Sequence, residues 1–152
     1  MKTWMWFVLC TVVCWGTYVP MIHHGQAALG KGNSALRTFL FIGLAYFIVS
    51  ATVLAYTVLT KAEPLTFTKS GVSLATVAGF LGAFGALGIV FAMKSGGKPL
   101  SVAPLVFAGA PIMSTFVAMM WDKPVKAPSL LFYVGIATAA VGAAMVLRFR
   151  PT

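Results

Sequence analysis

Five uninterrupted apolar runs constrain the fold of this chain more than any other feature of its sequence. They cover residues 4–22, 39–59, 74–93, 102–121 and 130–147, and none contains Asp, Glu, Lys or Arg. Each run has about 18 to 21 residues, enough at about 1.5 Å per residue to cross a hydrocarbon core of about 30 Å. Because backbone groups in lipid must be satisfied within their own segment, such runs predict helices. The sequence predicts an all-α membrane protein, a bundle of five transmembrane helices.

The composition excludes an ordinary soluble domain. Of 152 residues, 60% are hydrophobic and only 9% are charged, against about 25% charged residues in typical soluble domains. A net charge of +9 would suggest nucleic acid in a soluble protein. Here the basic residues stand singly between apolar runs, so we predict membrane lipid and no nucleic acid as a partner. The connections are too short for a second domain, so residues 1–152 are expected to form a single membrane domain.

The first apolar run has some features of a signal peptide, since Lys2 precedes it and Cys14 lies within it. However, Val13 stands where a lipoprotein signal has a small residue before the cysteine, and no small-x-small cleavage site follows. We therefore expect this run to be retained as the first helix.

The loop charges are nearly balanced between the two sides of the membrane. With five helices, the side of the N-terminus holds five bases, namely Lys2, Lys61, Lys69, Lys123 and Lys126. The opposite side holds six, namely Lys31, Arg37, Lys94, Lys98, Arg148 and Arg150. Orientation follows the Lys and Arg bias of short loops. The sequence leaves three alternatives: insertion in both orientations, an orientation set by a partner, or a weakly biased single orientation.

Small residues recur at four-residue spacing in the third and fifth runs, as in Ala75, Gly79 and Ala83, and in Gly135, Ala139 and Ala143. Such faces let membrane helices approach closely, so we expect them to pack, or alternatively to slide against neighbours during transport. The fourth run carries Pro104 and Pro111. A kink at Pro111 beside Ser114 and Thr115 predicts a substrate-lining element at mid-depth, unless the kink serves only packing.

The first run ends in aromatic and histidine residues. Trp15 and Tyr18 either line a cavity or belong to an interfacial aromatic belt. His23 and His24 then lie at the membrane boundary, either as solvated residues or as the mouth of a pathway. Adjacent histidines on a helix point about 100° apart, and no Cys, Asp or Glu stands near them in sequence, so we predict no metal site.

Groups that would support catalysis or proton coupling are missing from the apolar runs. No run contains the intramembrane acid that usually signals proton coupling. No nucleophile is accompanied by a base, and no phosphate-binding loop occurs. We therefore expect neither an enzyme nor a cofactor.

Three stretches together resemble one repeat of the drug/metabolite transporter superfamily of the EamA type. They are Trp15-Gly16 with the proline that follows, the end of the fourth run at Trp121-Asp122-Lys123-Pro124, and the last run YVGIATAAVGAA. In that family a five-helix repeat begins with a Trp-Gly helix, its fourth helix carries a mid-membrane proline, and its fifth is rich in Gly and Ala. Asp122 stands where the family carries glutamate.

The resemblance implies a half-size transporter. Full-length members contain two inverted five-helix repeats with the substrate between them, so one repeat needs an upside-down copy or a paired homologue. The expected function is alternating access of a small metabolite in an antiparallel dimer, in a bacterial inner membrane. The expected pathway residues are Trp15, Tyr18, Tyr46, Pro111, Ser114 and Thr115, with His23 and His24 at its mouth.

A different class of function remains open. Five short-looped helices without intramembrane charge also suit an accessory structural subunit of a larger energy-transducing or photosynthetic complex, in contact with lipid or pigment. Such a subunit needs no aqueous path, and its outer faces would contact the other subunits.

Overall fold

The computed structural model describes residues 2–30, 34–122, 124 and 126–151, and within these ranges it contains five α-helices and no strand. The helices are α1 (Thr3–Ala28), α2 (Ala35–Thr60), α3 (Lys69–Lys94), α4 (Pro99–Trp121) and α5 (Leu130–Phe149). Each of the five is long and apolar enough to cross a membrane. The prediction of an all-α integral membrane protein with five membrane-spanning helices is confirmed.

Hydroxyl caps and a proline define three of the helix starts. The Oγ1 atom of Thr68 accepts a hydrogen bond from the backbone N of Gly71 at 3.2 Å, and Ser129 Oγ accepts one from Phe132 N at 3.4 Å. The Thr68 bond satisfies a backbone donor that the first turn of a helix leaves unpaired. The Ser129 bond is a second one for its donor, since Phe132 N also donates to the Ser129 carbonyl at 3.0 Å. α4 begins with Pro99, whose missing N–H costs nothing at the first helical position.

Glycines follow the ends of α1 and α3, and the helices extend beyond the apolar runs. Gly30 has a φ of +112° and Gly96 a φ of +94°, a left-handed conformation that glycine adopts without steric cost. α1 continues through His23 and His24 to Ala28, and α3 already begins at Lys69. The apolar runs therefore mark the hydrocarbon-crossing parts of the helices rather than their full lengths.

One compact unit consists of residues 1–19 and 97–152. It contains the first part of α1 together with α4 and α5, and α4 packs against α5. A guanidinium nitrogen of Arg150 donates to Ser101 Oγ, which joins the residue after α5 to the first turn of α4. The α4–α5 hairpin is therefore antiparallel and is closed at that end by a polar contact.

The other compact unit consists of residues 20–96 and contains the end of α1, α2 and α3. α2 packs against α3. The unit's buried apolar side chains are Ile22, Ala35, Ala86, Ile89, Val90 and Met93. Those of α3 all lie in its C-terminal half, so the core of this unit sits near that end of the helix.

The small-residue faces of α3 and α5 are mostly open. A Cβ atom added to Gly79, Gly82, Gly135 or Gly142 would meet no atom of another described residue within 4 Å. On α3 only the C-terminal end of the stripe is used, where Ala86 is 5% exposed. The expectation that these faces pack closely against other helices stays a prediction.

Candidate functional site

The middle of α4 is chemically unlike the other described helices because it carries two internal prolines, Pro104 and Pro111. Pro111 has no N–H, so it cannot donate to the carbonyl of Phe107, its usual partner four residues earlier. Thr115 Oγ1 donates to the carbonyl of Pro111 at 2.8 Å. The Phe107 carbonyl therefore lacks its usual helical donor, at a depth where lipid offers no hydrogen bonds.

A cleft of about 560 Å³ lies between α1 and α4 in the unit of residues 1–19 and 97–152. This volume falls in the usual range of small-molecule sites, about 300–1,000 Å³. We call it the α1–α4 cleft. Its lining residues are Thr11, Val12, Trp15, Gly16, Val106, Phe107, Ala110, Pro111 and Ser114. Three of the predicted pathway residues, Trp15, Pro111 and Ser114, are therefore brought to one site.

The aromatic side of the cleft is built from two elements. The rings of Trp15 and Phe107 meet edge to face, with centroids 6.3 Å apart and planes at 77°. Trp15 also contacts the half-buried Tyr18, whose ring centroid is 6.1 Å away. The edge-to-face pair of Trp15 and Phe107 is favourable because the positive ring edge meets the negative ring face. Trp15 is still 46% exposed, so part of the indole remains available to a ligand.

Hydroxyl groups in the cleft differ in their hydrogen bonding. Thr11 Oγ1 donates to the carbonyl of Phe7 at 2.9 Å, the pattern that Thr17, Thr52, Thr57 and Thr138 also follow within their own helices. Ser114 has no hydrogen-bond partner for its side chain in the described part of the chain. Its hydroxyl is therefore free to donate to or accept from a ligand.

The cleft offers a charged ligand no counter-charge, since no ionisable side chain stands among its described lining residues. Removing an ion from water costs several kcal/mol in a protein interior. A desolvated cation over an aromatic ring regains about 2 kcal/mol, and one neutral hydrogen bond contributes about 1 kcal/mol. These gains are smaller than the cost, so the cleft favours a neutral ligand.

A second, shallower groove of about 410 Å³ lies between α4 and α5. Thr115 and Pro111 line it on the α4 side, opposite Gly135 and Ala139 of α5. Thr115 is thus separated from its neighbour Ser114, because consecutive helix residues point about 100° apart. The predicted pathway residues on α4 are divided between two surfaces, which meet at Pro111 and Phe107.

The remaining predicted residues lie in the unit of residues 20–96. Tyr46 is on α2 and half exposed. The rings of His23 and His24 contact each other at a centroid distance of 5.8 Å, inside α1 rather than at its end. No group of three or more His, Cys, Asp or Glu that could hold a metal ion occurs among the described residues. The pathway roles of these three residues stay predictions.

Gln26 is the polar residue that sequence reasoning missed. It is 1% exposed, and its Nε2 donates to the carbonyl of Val90 at 2.8 Å, which ties α1 to α3. The first apolar run ends at residue 22 and therefore does not include position 26. Gly30, a residue type that often follows the last turn of a helix, was the signal that α1 extends that far.

No family model, curated protein or solved structure matches this chain. The resemblance to the drug/metabolite transporters therefore rests on the short sequence motifs alone. A proposal for the function depends on the geometry of the α1–α4 cleft.

Proposed function

We propose that this protein is a half-size transporter of the drug/metabolite type in a bacterial inner membrane, acting by alternating access. The observation that carries the proposal is the α1–α4 cleft, where Trp15, Pro111 and Ser114 line one site. A proline-interrupted helix beside a cavity is a common way for transporters to present polar backbone to a substrate at mid-membrane depth.

A second five-helix unit completes the proposed transporter. Transporter sites of this class form between two inverted repeats, and the five helices here supply one repeat. The nearly balanced basic residues on the two sides of the membrane support insertion in both orientations. The proposed partner is therefore an upside-down second copy, with a paired homologue as the alternative source of the second repeat.

In this mechanism the α1–α4 cleft of each protomer faces a common substrate path. Rocking of one repeat against the other exposes the site first to one side of the membrane and then to the other. Bending of α4 at Pro111 lets the cleft widen or narrow without breaking further backbone hydrogen bonds. The protein contributes shape and hydrogen bonds, and no covalent step is involved.

Impermeant labelling of two loops tests the antiparallel arrangement. Both variants carry Cys10→Ser and Cys14→Ser, so that one cysteine can be labelled in each. One variant adds Ser95→Cys in the turn after α3, and the other adds Thr66→Cys in the loop before α3. These positions flank α3 and so lie on opposite membrane sides. Intact cells treated with an impermeant maleimide should label roughly half the copies at either position, because inverted pairs place each loop on both sides. Full labelling at one position and none at the other would rule out self-pairing in opposite orientations.

An accessory structural subunit is the second candidate, and the open glycine faces favour it. Gly79, Gly82, Gly135 and Gly142 leave helix backbones uncovered within this chain, and such faces suit close packing against another membrane protein. The mass of the particle extracted gently from its native membrane separates the candidates. About two copies support the transporter, whereas a particle of hundreds of kilodaltons with other stoichiometric subunits supports the accessory role.

A further inference from the structure

We propose that the α1–α4 cleft binds a neutral, planar aromatic molecule that carries one hydrogen-bond donor. Only the naming of this molecule as the transported substrate rests on the proposed function. Binding itself depends on the cleft alone, and it is measured separately from transport and from membrane orientation.

The shape of the cleft selects a flat ring. The Trp15 and Phe107 rings meet at 77°, so they form a corner with one exposed indole surface. An additional aromatic ring fits such a corner by stacking on one ring and meeting the edge of the other. On the α1 side of the cleft, Gly16 forms part of the wall, and a Cβ atom added there would meet no described atom within 4 Å. The missing side chain leaves room for a ring to lie against the helix backbone.

The polar groups of the cleft select the functional group. Pro111 leaves the Phe107 carbonyl without its usual helical donor, and the Ser114 hydroxyl has no partner among the described residues. A ligand hydroxyl or amide N–H can donate to one of these oxygens, and the serine hydroxyl can donate in return. A hydrocarbon tail satisfies neither group, which distinguishes the proposed ligand from a lipid acyl chain.

The residues that line the cleft favour an uncharged ligand. No carboxylate, ammonium, guanidinium or imidazole group stands among the described residues of the cleft. An anion or a cation would therefore enter without a partner of opposite charge, and the positive net charge of +9 adds a further barrier for cations.

The test uses contact quenching by three related probes. Trp4, Trp6 and Trp121 are replaced by Phe so that Trp15 is the remaining tryptophan, and the protein is placed in lipid nanodiscs. The probes are 6-bromo-2-naphthol, which is neutral, the anion 6-bromo-2-naphthoate and the cation 6-bromo-2-naphthylmethylammonium. We expect saturable quenching of Trp15 by the naphthol. Each of the two ions should bind at least about tenfold more weakly than the naphthol.

Matched variants distinguish the cleft from partition into lipid. Gly16→Leu fills the cleft and should weaken binding of the naphthol by about tenfold or more, whereas Gly109→Leu adds the same side chain at an open position of α4 outside both grooves and should not. Ser114→Ala removes one exposed oxygen and should weaken binding about fivefold. This last variant keeps the test decisive where Gly16→Leu does not fold.

Three results would overturn the inference. They are quenching that does not saturate, equal quenching in Gly16→Leu and Gly109→Leu, and tighter binding of either ion than of the naphthol. Saturable, cleft-dependent binding together with a single fixed orientation in the labelling experiment would retain this binding site and remove the antiparallel transporter. The two proposals therefore fail independently.

Discussion

The two compact units differ in where polar side chains are buried, because the buried polar residues of the described chain, Gln26 and Thr38, lie in the unit of residues 20–96. In the unit of residues 20–96, Gln26 and Thr38 are buried, and each donates to a backbone carbonyl, of Val90 at 2.8 Å and of Ser34 at 2.9 Å. In the unit of residues 1–19 and 97–152, the Ser114 hydroxyl lines a cleft without a partner among the described residues. Satisfied polar groups fix a structure, and unsatisfied ones remain available to a ligand.

Burial of apolar side chains follows the same division. Six apolar side chains are buried in the unit of residues 20–96, and only Val19 and Val102 are buried in the described part of the other unit. Buried apolar side chains are therefore concentrated in one unit, whereas the α1–α4 cleft lies in the other. Substitutions placed in matched pairs across the two units test this division.

The largest expected effect comes from truncating a buried methionine. Met93 is 2% exposed, and Met113 on α4 is 65% exposed. Met93→Ala should lower the free energy of unfolding by about 2 kcal/mol, the low end of the range for soluble cores. Because lipid is as apolar as the protein interior, this loss of stability comes mainly from the lost packing contacts of the Met93 side chain. Met113→Ala should change it by less than about 0.5 kcal/mol. Unfolding in mixed micelles with increasing SDS, followed by circular dichroism, measures both. Equal losses would refute the division.

The helix caps provide a pair in which the two units should behave alike. Thr68→Ala and Ser129→Ala each remove a hydroxyl that accepts from the first turn of a helix, α3 or α5. Thr68→Ala should cost about 1 kcal/mol. Ser129→Ala should cost less, because its hydroxyl bond is longer and Phe132 N keeps its bond to the Ser129 carbonyl. The same SDS titration measures the effect. Replacement by Asn, another good capping residue, should restore most of the loss in each case.

The smallest expected effect isolates the hydrogen bond between α1 and α3. Gln26→Leu removes the donor to the Val90 carbonyl and should cost about 0.6 kcal/mol, the average for hydrogen bonds between membrane helices. Thr52→Val is the control, because it removes a hydroxyl bonded only within its own helix at an exposed position. Replicate SDS titrations of both variants resolve the difference. An equally large loss of stability in Thr52→Val would show that the hydrogen bond between α1 and α3 stabilises the protein no more than a bond within one helix.

Much of the fold was predictable because membrane-crossing helices are encoded by local composition. All five apolar runs correspond to helices, whose ends extend beyond them at positions such as Ala28 and Lys69. Those extensions were missed because polar residues are compatible with a helix outside the hydrocarbon core. The small-residue stripe of α3 was recognised, but which of its faces meets a neighbour depends on tertiary packing that sequence spacing does not contain.

The candidate site was predictable only in part for the same reason. Trp15, Pro111 and Ser114 were recognisable from local chemistry, and the structure places them on one cleft. Phe107 was missed, although it stands four residues before Pro111 and so bears the carbonyl that loses its usual helical donor. The division of Ser114 and Thr115 between two grooves depends on the rotation of α4 against α1 and α5, which only the three-dimensional structure reveals.

The unequal helix lengths have a consequence for the choice of membrane. α5 has 20 residues, whereas α2 and α3 have 26 each, corresponding to about 30 Å and about 39 Å. α5 matches a hydrocarbon core of about 30 Å with no excess, while α2 and α3 must tilt or place their additional turns among lipid headgroups. A thicker bilayer would therefore be mismatched first at α5. Sensitivity to lipid chain length is thus expected to begin at α5, which packs against the cleft-lining helix α4.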